Sequence, residues 1–238
     1  MQNNQTGSHG FYSYLSHSAN AVELSESKYN LIIGGMLTWG FFLNYLMIQF
    51  VAPPIMRMML ERPGGFTPIV FGGLLAYIVL VLMGSAMVRS RDKLKCFLGY
   101  HLIAVPVGLL ASIATVGYDP DLVVRAVLLT AIVTLGMMIV STIFPSVFER
   151  MMPALGVTLL IVIVAESIGL FFFRFDSSLM DWAVLIIMSL YVGYDWVRAN
   201  SVQRTATNAI AAASALYLDI INIFLRLLRI LARSRSND

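Results

Sequence analysis

Seven uninterrupted apolar runs of about 20 residues, parted by short polar breaks, constrain this chain more than any other feature. They extend from Asn30 to Val51, Pro68 to Val88, Cys96 to Val116, Leu122 to Phe144, Pro153 to Phe173, Met180 to Val197 and Thr207 to Leu231. At about 1.5 Å of rise per residue, each matches the roughly 30 Å hydrocarbon core of a bilayer. Without water, the backbone must satisfy its own N–H and C=O groups, and a helix does so within one segment. Composition agrees: 58% hydrophobic and 12% charged residues, with a mean hydropathy of +0.80, lie far from soluble domains. The sequence therefore predicts an all-α membrane protein, a seven-transmembrane-helix bundle over residues 29–232. A polar, mobile N-terminal tail (1–28) precedes it and a short C-terminal tail (233–238) follows. Little chain is left for a second domain.

Pro53-Pro54 and the run from Arg62 through Gly65 bracket the first connection, Asp119-Pro120 makes a tight third one, and Pro153 opens the fifth helix. Small residues at helix-packing spacing, Gly72 with Ala76 and Gly108 with Ser112, mark places for close backbone approach. No internal repeat suggests an inverted-repeat transporter. The tail lacks the pattern of a secretory signal, and a lone Cys96 excludes an internal disulfide. The 14 methionines show no paired spacing with His or Cys and read as gap-filling residues. Net charge is +3 without a basic stripe interleaved with aromatics, so nucleic acid is not an expected partner. Lys28, Arg89, Arg91, Lys93, Lys95, Arg150, Arg198 and Arg204 fall on one side, which predicts a cytoplasmic N-terminus. Arg229, Arg233 and Arg235 weigh against that orientation.

Asp195 and Asp219 stand inside the sixth and seventh runs, where a carboxylate is costly and marks a functional position whose partner must be sought. The polar break from Asn200 to Asn208 centres near Arg204 to Thr207, about twelve residues or roughly 18 Å from each acid, so antiparallel neighbours bring both to one depth. Such a pair shares a proton and titrates as a unit, which makes it a pH-responsive switch; ionised, it suits a weakly held Ca²⁺ completed by carbonyls and water. A purely structural proton-shared pair is the plainer alternative.

The seventh helix carries Asp219, Asn222, Arg226 and Arg229 at three- and four-residue steps, so it is expected in the centre of the bundle. Tyr191 and Arg198 share the face of Asp195 and point inward with it. Arg89, ending the second helix, either reaches inward as a latch on the pair or snorkels to headgroups. Glu166 either lines the same cavity or bonds locally, and His101 reads as a packing histidine before a proton relay. His9 and His17 carry no visible chemistry. No phosphate loop, metal cluster or nucleophile elbow is present, so no enzyme and no resident cofactor are expected, with Ca²⁺ at most a permeant or weakly bound ion.

Tyr194-Asp195 followed by the run from Ala215 through Asp219 to Arg229, with the acids 24 positions apart, resembles the Bax inhibitor-1 family, also called the transmembrane Bax inhibitor motif family. Weaker similarity reaches back through Gly99-Tyr100 and Gly108 to Arg89 and Gln49-Phe50-Val51. The resemblance implies a seven-helix bundle with the last helix central. It also implies a pH-sensitive calcium leak gated by the pair, with Arg89 at the basic position that engages it. For a bacterial member it implies the inner membrane, and for some members a membrane-anchored AAA protease as partner. Tyr77-Ile78 stand where some relatives carry an acid, which puts a second ion pair to Arg229 in doubt.

Two other readings are distinguishable. A non-conducting adaptor of such a protease would act through the polar tail. An intramembrane aspartyl protease would need a Gly-x-Gly-Asp pattern, whereas Asp219 follows Leu216-Tyr217-Leu218.

Overall fold

The computed structural model describes the backbone of residues 22–61, 66–168 and 178–236, with side chains there except those of residues 66–70, 152, 153, 159, 160, 162–168, 178 and 236. Helix α1 (Glu26–Leu46) continues through a π-helical turn (Met47–Val51) into α2 (Ala52–Glu61). Then follow α3 (Phe66–Met87), α4 (Lys93–Thr115), α5 (Pro120–Ile143), α6 (Pro145–Ile168), α7 (Ser178–Ser201) and α8 (Ala206–Ser236). No strand occurs among the described residues. Among the described residues, four helical stretches are long and apolar enough to cross a membrane: Glu26–Glu61, Lys93–Thr115, Pro120–Ile143 and Leu179–Ser201; Phe71–Met87 is a shorter apolar helix. Large apolar side chains such as Leu31, Phe71, Leu82, Ile132 and Ile139 face outward, as they do where lipid replaces water.

Local chemistry sets the helix ends. Asp92 caps α4 by accepting from the backbone N–H groups of Leu94 (2.8 Å) and Lys95 (3.3 Å). Asp119 caps α5 by accepting from Asp121 N–H at 2.9 Å, with Pro120 in the first turn, where a missing N–H costs nothing. Two proline expectations fail. Pro53 and Pro54 do not end the first helix, because they fall in the first turn of α2 and the wider π turn before them absorbs the lost donors. Pro145, not Pro153, opens α6; Pro153 lies inside that helix, whose backbone groups can be re-satisfied locally in a membrane protein. The expected end of that span, Phe173, lies outside the described residues. So does the tail up to residue 21, while α1 begins at Glu26, ahead of the expected boundary at 29.

Helix α8 packs against α1, α4, α5 and α7, and its Leu216, Tyr217, Ile223 and Leu228 are fully buried. Tyrosine hydroxyls tie the layers. Tyr29 donates to Ala199 O (2.8 Å), Tyr100 to Met36 O (2.6 Å) and Tyr217 to Asn44 Oδ1 (2.8 Å). Gly108 makes room for the last of these: a Cβ there would overlap Asn44 Oδ1 and come within 2.8 Å of Tyr217 Oη. A Cβ on Gly72 would meet nothing within 4 Å among the described residues, so the small-residue contact expected of it is not made there. The close approach of α3 to α4 is made instead by Gly84 against Gly99, where a Cβ on Gly84 would meet Gly99 O at 2.8 Å.

Candidate functional site

Asp195 on α7 and Asp219 on α8 are both buried, and their side chains are hydrogen-bonded to each other. The depth match expected from sequence is met, but by a different device. Ser201 ends α7 six residues past Asp195, whereas Ala206 opens α8 thirteen residues before Asp219. At 1.5 Å per residue these arms differ by about 10 Å. The non-helical Val202–Thr205 connector, rising at up to about 3.3 Å per residue, is long enough to carry the start of α8 outward by that amount. Asp219 Oδ2 is buried and has no hydrogen-bond partner among the described residues.

Tyr191, one turn before Asp195, lies close to both carboxyls, and a Cβ on Gly156 of α6 would sit 3.8 Å from its hydroxyl. Arg198 donates to the hydroxyl of Tyr194 one turn away. A cavity of about 100 Å³ opens between the end of α3, the end of α7 and the start of α8. Arg89, Arg198, Asn208, Ser85 and Ser214 line it, and Asp195 forms part of its wall. Arg89 and Asp195 therefore line one cavity. Among the described residues no group of three or more His, Cys, Asp or Glu side chains is placed to hold a metal ion, so a cation at the pair would draw its remaining ligands from carbonyls and water.

The rest of the α8 polar stripe goes elsewhere. Asn222 turns its amide back to Leu218 O at 2.8 Å. Arg226 and Arg229 reach Asp181 in the first turn of α7, together with Arg233, at 2.8, 3.4 and 2.7 Å. Asp181 is fully buried and was not singled out from sequence, yet it supplies the ion pair to Arg229 that the missing acid at Tyr77-Ile78 had put in doubt. A signal existed. Asp181 lies fourteen residues before Asp195, and Arg233 fourteen after Asp219, so once the acids are paired these two must share a layer. Nearby, Arg235 donates to Asp119 Oδ2 at 2.6 Å. The N–H of Asp121, and then Arg235, hold the Asp119 carboxyl below its ordinary range.

His101 is a satisfied packing residue. Trp39 Nε1–H donates to its Nε2 (2.8 Å), and Nδ1 faces Phe97 O (2.9 Å), the arrangement of a neutral ring protonated on Nδ1. The Glu166 side chain lies outside the described residues.

Apolar helices around a buried carboxyl pair define an integral membrane protein of the all-helical class. The profile of the Bax inhibitor-1 family, described as inhibitor of apoptosis-promoting Bax1, matches residues 24–237, and the chain belongs to that family. It is 27% identical over 220 residues to an uncharacterized membrane protein of Streptococcus pyogenes serotype M1, covering 87% of this chain and 92% of the relative. Over 163 residues it is 29% identical to an uncharacterized membrane protein of Vibrio cholerae, covering 68% and 72%. A Campylobacter jejuni protein is 30% identical over 132 residues, covering 54% and 55%.

Proposed function

We propose that this protein is a pH-sensitive calcium leak of a bacterial inner membrane, with seven spans and a cytoplasmic N-terminus, gated by the Asp195–Asp219 pair. The observation that carries this reading is the hydrogen bond between two buried carboxyls beside a cavity that also holds Arg89 and Arg198. Two carboxyls bond to each other only through a shared proton. With it, α7 and α8 are tied together. Without it, two like charges about 4 Å apart repel by about 4 kcal/mol at an effective dielectric of 20, enough to part the helices or to recruit a cation. Arg89 stands on the cavity wall, where it offsets the charge of the ionised pair and acts as the latch, with Arg198 beside it in support.

The test is Ca²⁺ flux into proteoliposomes between about pH 6 and 8, with native protein, Asp195→Asn, Asp219→Asn and the double variant. A pH-dependent flux that flattens in either single variant is the expected result. No flux above empty liposomes at any pH, from folded protein, would overturn the proposal.

A further inference from the structure

At the far end of α7 and α8 from the aspartate pair, four arginines of one helix meet two acids. Arg226, Arg229 and Arg233 gather on Asp181 at 2.8, 3.4 and 2.7 Å, and Arg235 pairs with Asp119 at 2.6 Å. These six residues sum to two positive charges. Asp181 is fully buried and the Arg226 side chain is 13% exposed, so that contact forms an interior anchor. The Arg229 and Arg233 side chains, 40% and 38% exposed, reach the surface from the same anchor. The carboxylate thus draws two surface-reaching arginines together, and the planar N–H fork of a guanidinium matches the oxygens of a phosphate.

The depth suits a headgroup. Asp181 lies in the first turn of α7, about 21 Å along the helix from Asp195. Its neighbour Trp182 is half exposed, as aromatic residues are at the membrane–water boundary. We infer that Arg229 and Arg233, braced by Asp181, form a binding site for a phosphate group, supplied by an anionic phospholipid headgroup or by free phosphate. This site is separate from the aspartate pair and does not rest on the calcium reading.

The full chain in detergent is titrated with phosphatidylglycerol, phosphatidylcholine and inorganic phosphate, and heat stability is followed. Each basic residue near an anionic surface contributes a factor of about 5 in binding, so Arg229→Gln with Arg233→Gln should lose about 30-fold of the preference for phosphatidylglycerol. The double Lys variant, which keeps both charges, should retain most of it. The Arg226–Asp181 contact stays in both, and their helical content is checked against native protein. Stabilisation by phosphatidylglycerol alone assigns the site to lipid, and stabilisation by inorganic phosphate at similar concentration assigns it to the free ion. Equal response to phosphatidylglycerol and phosphatidylcholine with none to phosphate, or an unchanged preference in the Gln variant, overturns the inference.

Discussion

Replacing Asp181 by Asn isolates the energetics of the arginine anchor, because Asn keeps the volume and one acceptor oxygen and removes only the charge. The carboxylate is fully buried and Arg226 is 13% exposed, so the substitution takes the charge at 2.8 Å away from a guanidinium that water barely reaches. Breaking such a pair from one side costs about 3–5 kcal/mol. Arg229 and Arg233 are 40% and 38% exposed and can turn to solvent, so each adds less than about 1 kcal/mol. For a chain of this size a loss of 1 kcal/mol lowers Tm by about 2–4 °C, which places the Asp181→Asn shift at about 6–20 °C. Fluorescence of the three tryptophans during heating in detergent reads it directly. A double variant with Arg226→Gln should be less damaged than the two single losses summed, since the second substitution removes the charge that Asp181 had balanced. A shift below about 2 °C in Asp181→Asn, or strict additivity with Arg226→Gln, would refute the assignment of Asp181 as the anchor.

Gly193→Ala should destabilise by about 1–3 kcal/mol, because its Cβ would overlap Phe148 Cε1 and sit 2.7 Å from Cδ1 at the α6–α7 contact. Gly136→Ala, where a Cβ meets nothing within 4 Å, should be neutral or stabilise by up to about 1 kcal/mol; heat stability of the two variants separates local overlap from a general intolerance of larger residues. The Asp119–Arg235 clasp follows the sign of a lowered carboxyl: it is present above the ordinary carboxylate range and is lost as pH falls through the lowered value. A spin label at Ser236 should therefore gain mobility only below about pH 4, and a gain near neutrality would contradict the clasp. His101→Phe should cost less than about 1.5 kcal/mol and leave any pH response of Ca²⁺ flux unchanged; a displaced response would return His101 to the list of proton carriers.

Polar residues stranded in apolar runs were the readable part of this site. Asp195 and Asp219 stood out because nothing around them in sequence explains a charge, and the structure joins them. Asp181 escaped notice for the opposite reason: at the start of a helix an acid needs no explanation. Its partners lie 45 to 52 residues away on another helix. Arg226 and Arg229 were legible as an inward stripe but not as ligands of a different acid, since periodicity gives direction on a helix and not the facing residue. The same limit separates Gly108, which packs as expected, from Gly72, where a Cβ would meet none of the described residues within 4 Å. Proline misled where it was read as punctuation: Pro53-Pro54 interrupt hydrogen bonding without ending the helix, because the π turn redistributes the register.

That π turn also offsets the register of the first long helix. It winds one residue more than an α-helical turn, and it lies just past Asn44, which the Tyr217 hydroxyl pins to α8. The extra residue sets α2 about 100° round from where an unbroken α-helix would place it, and Pro53-Pro54 hold it there by excluding regular α geometry. The stretch from Glu26 to Glu61 is thus one shaft whose two parts present differently aimed faces to the bundle.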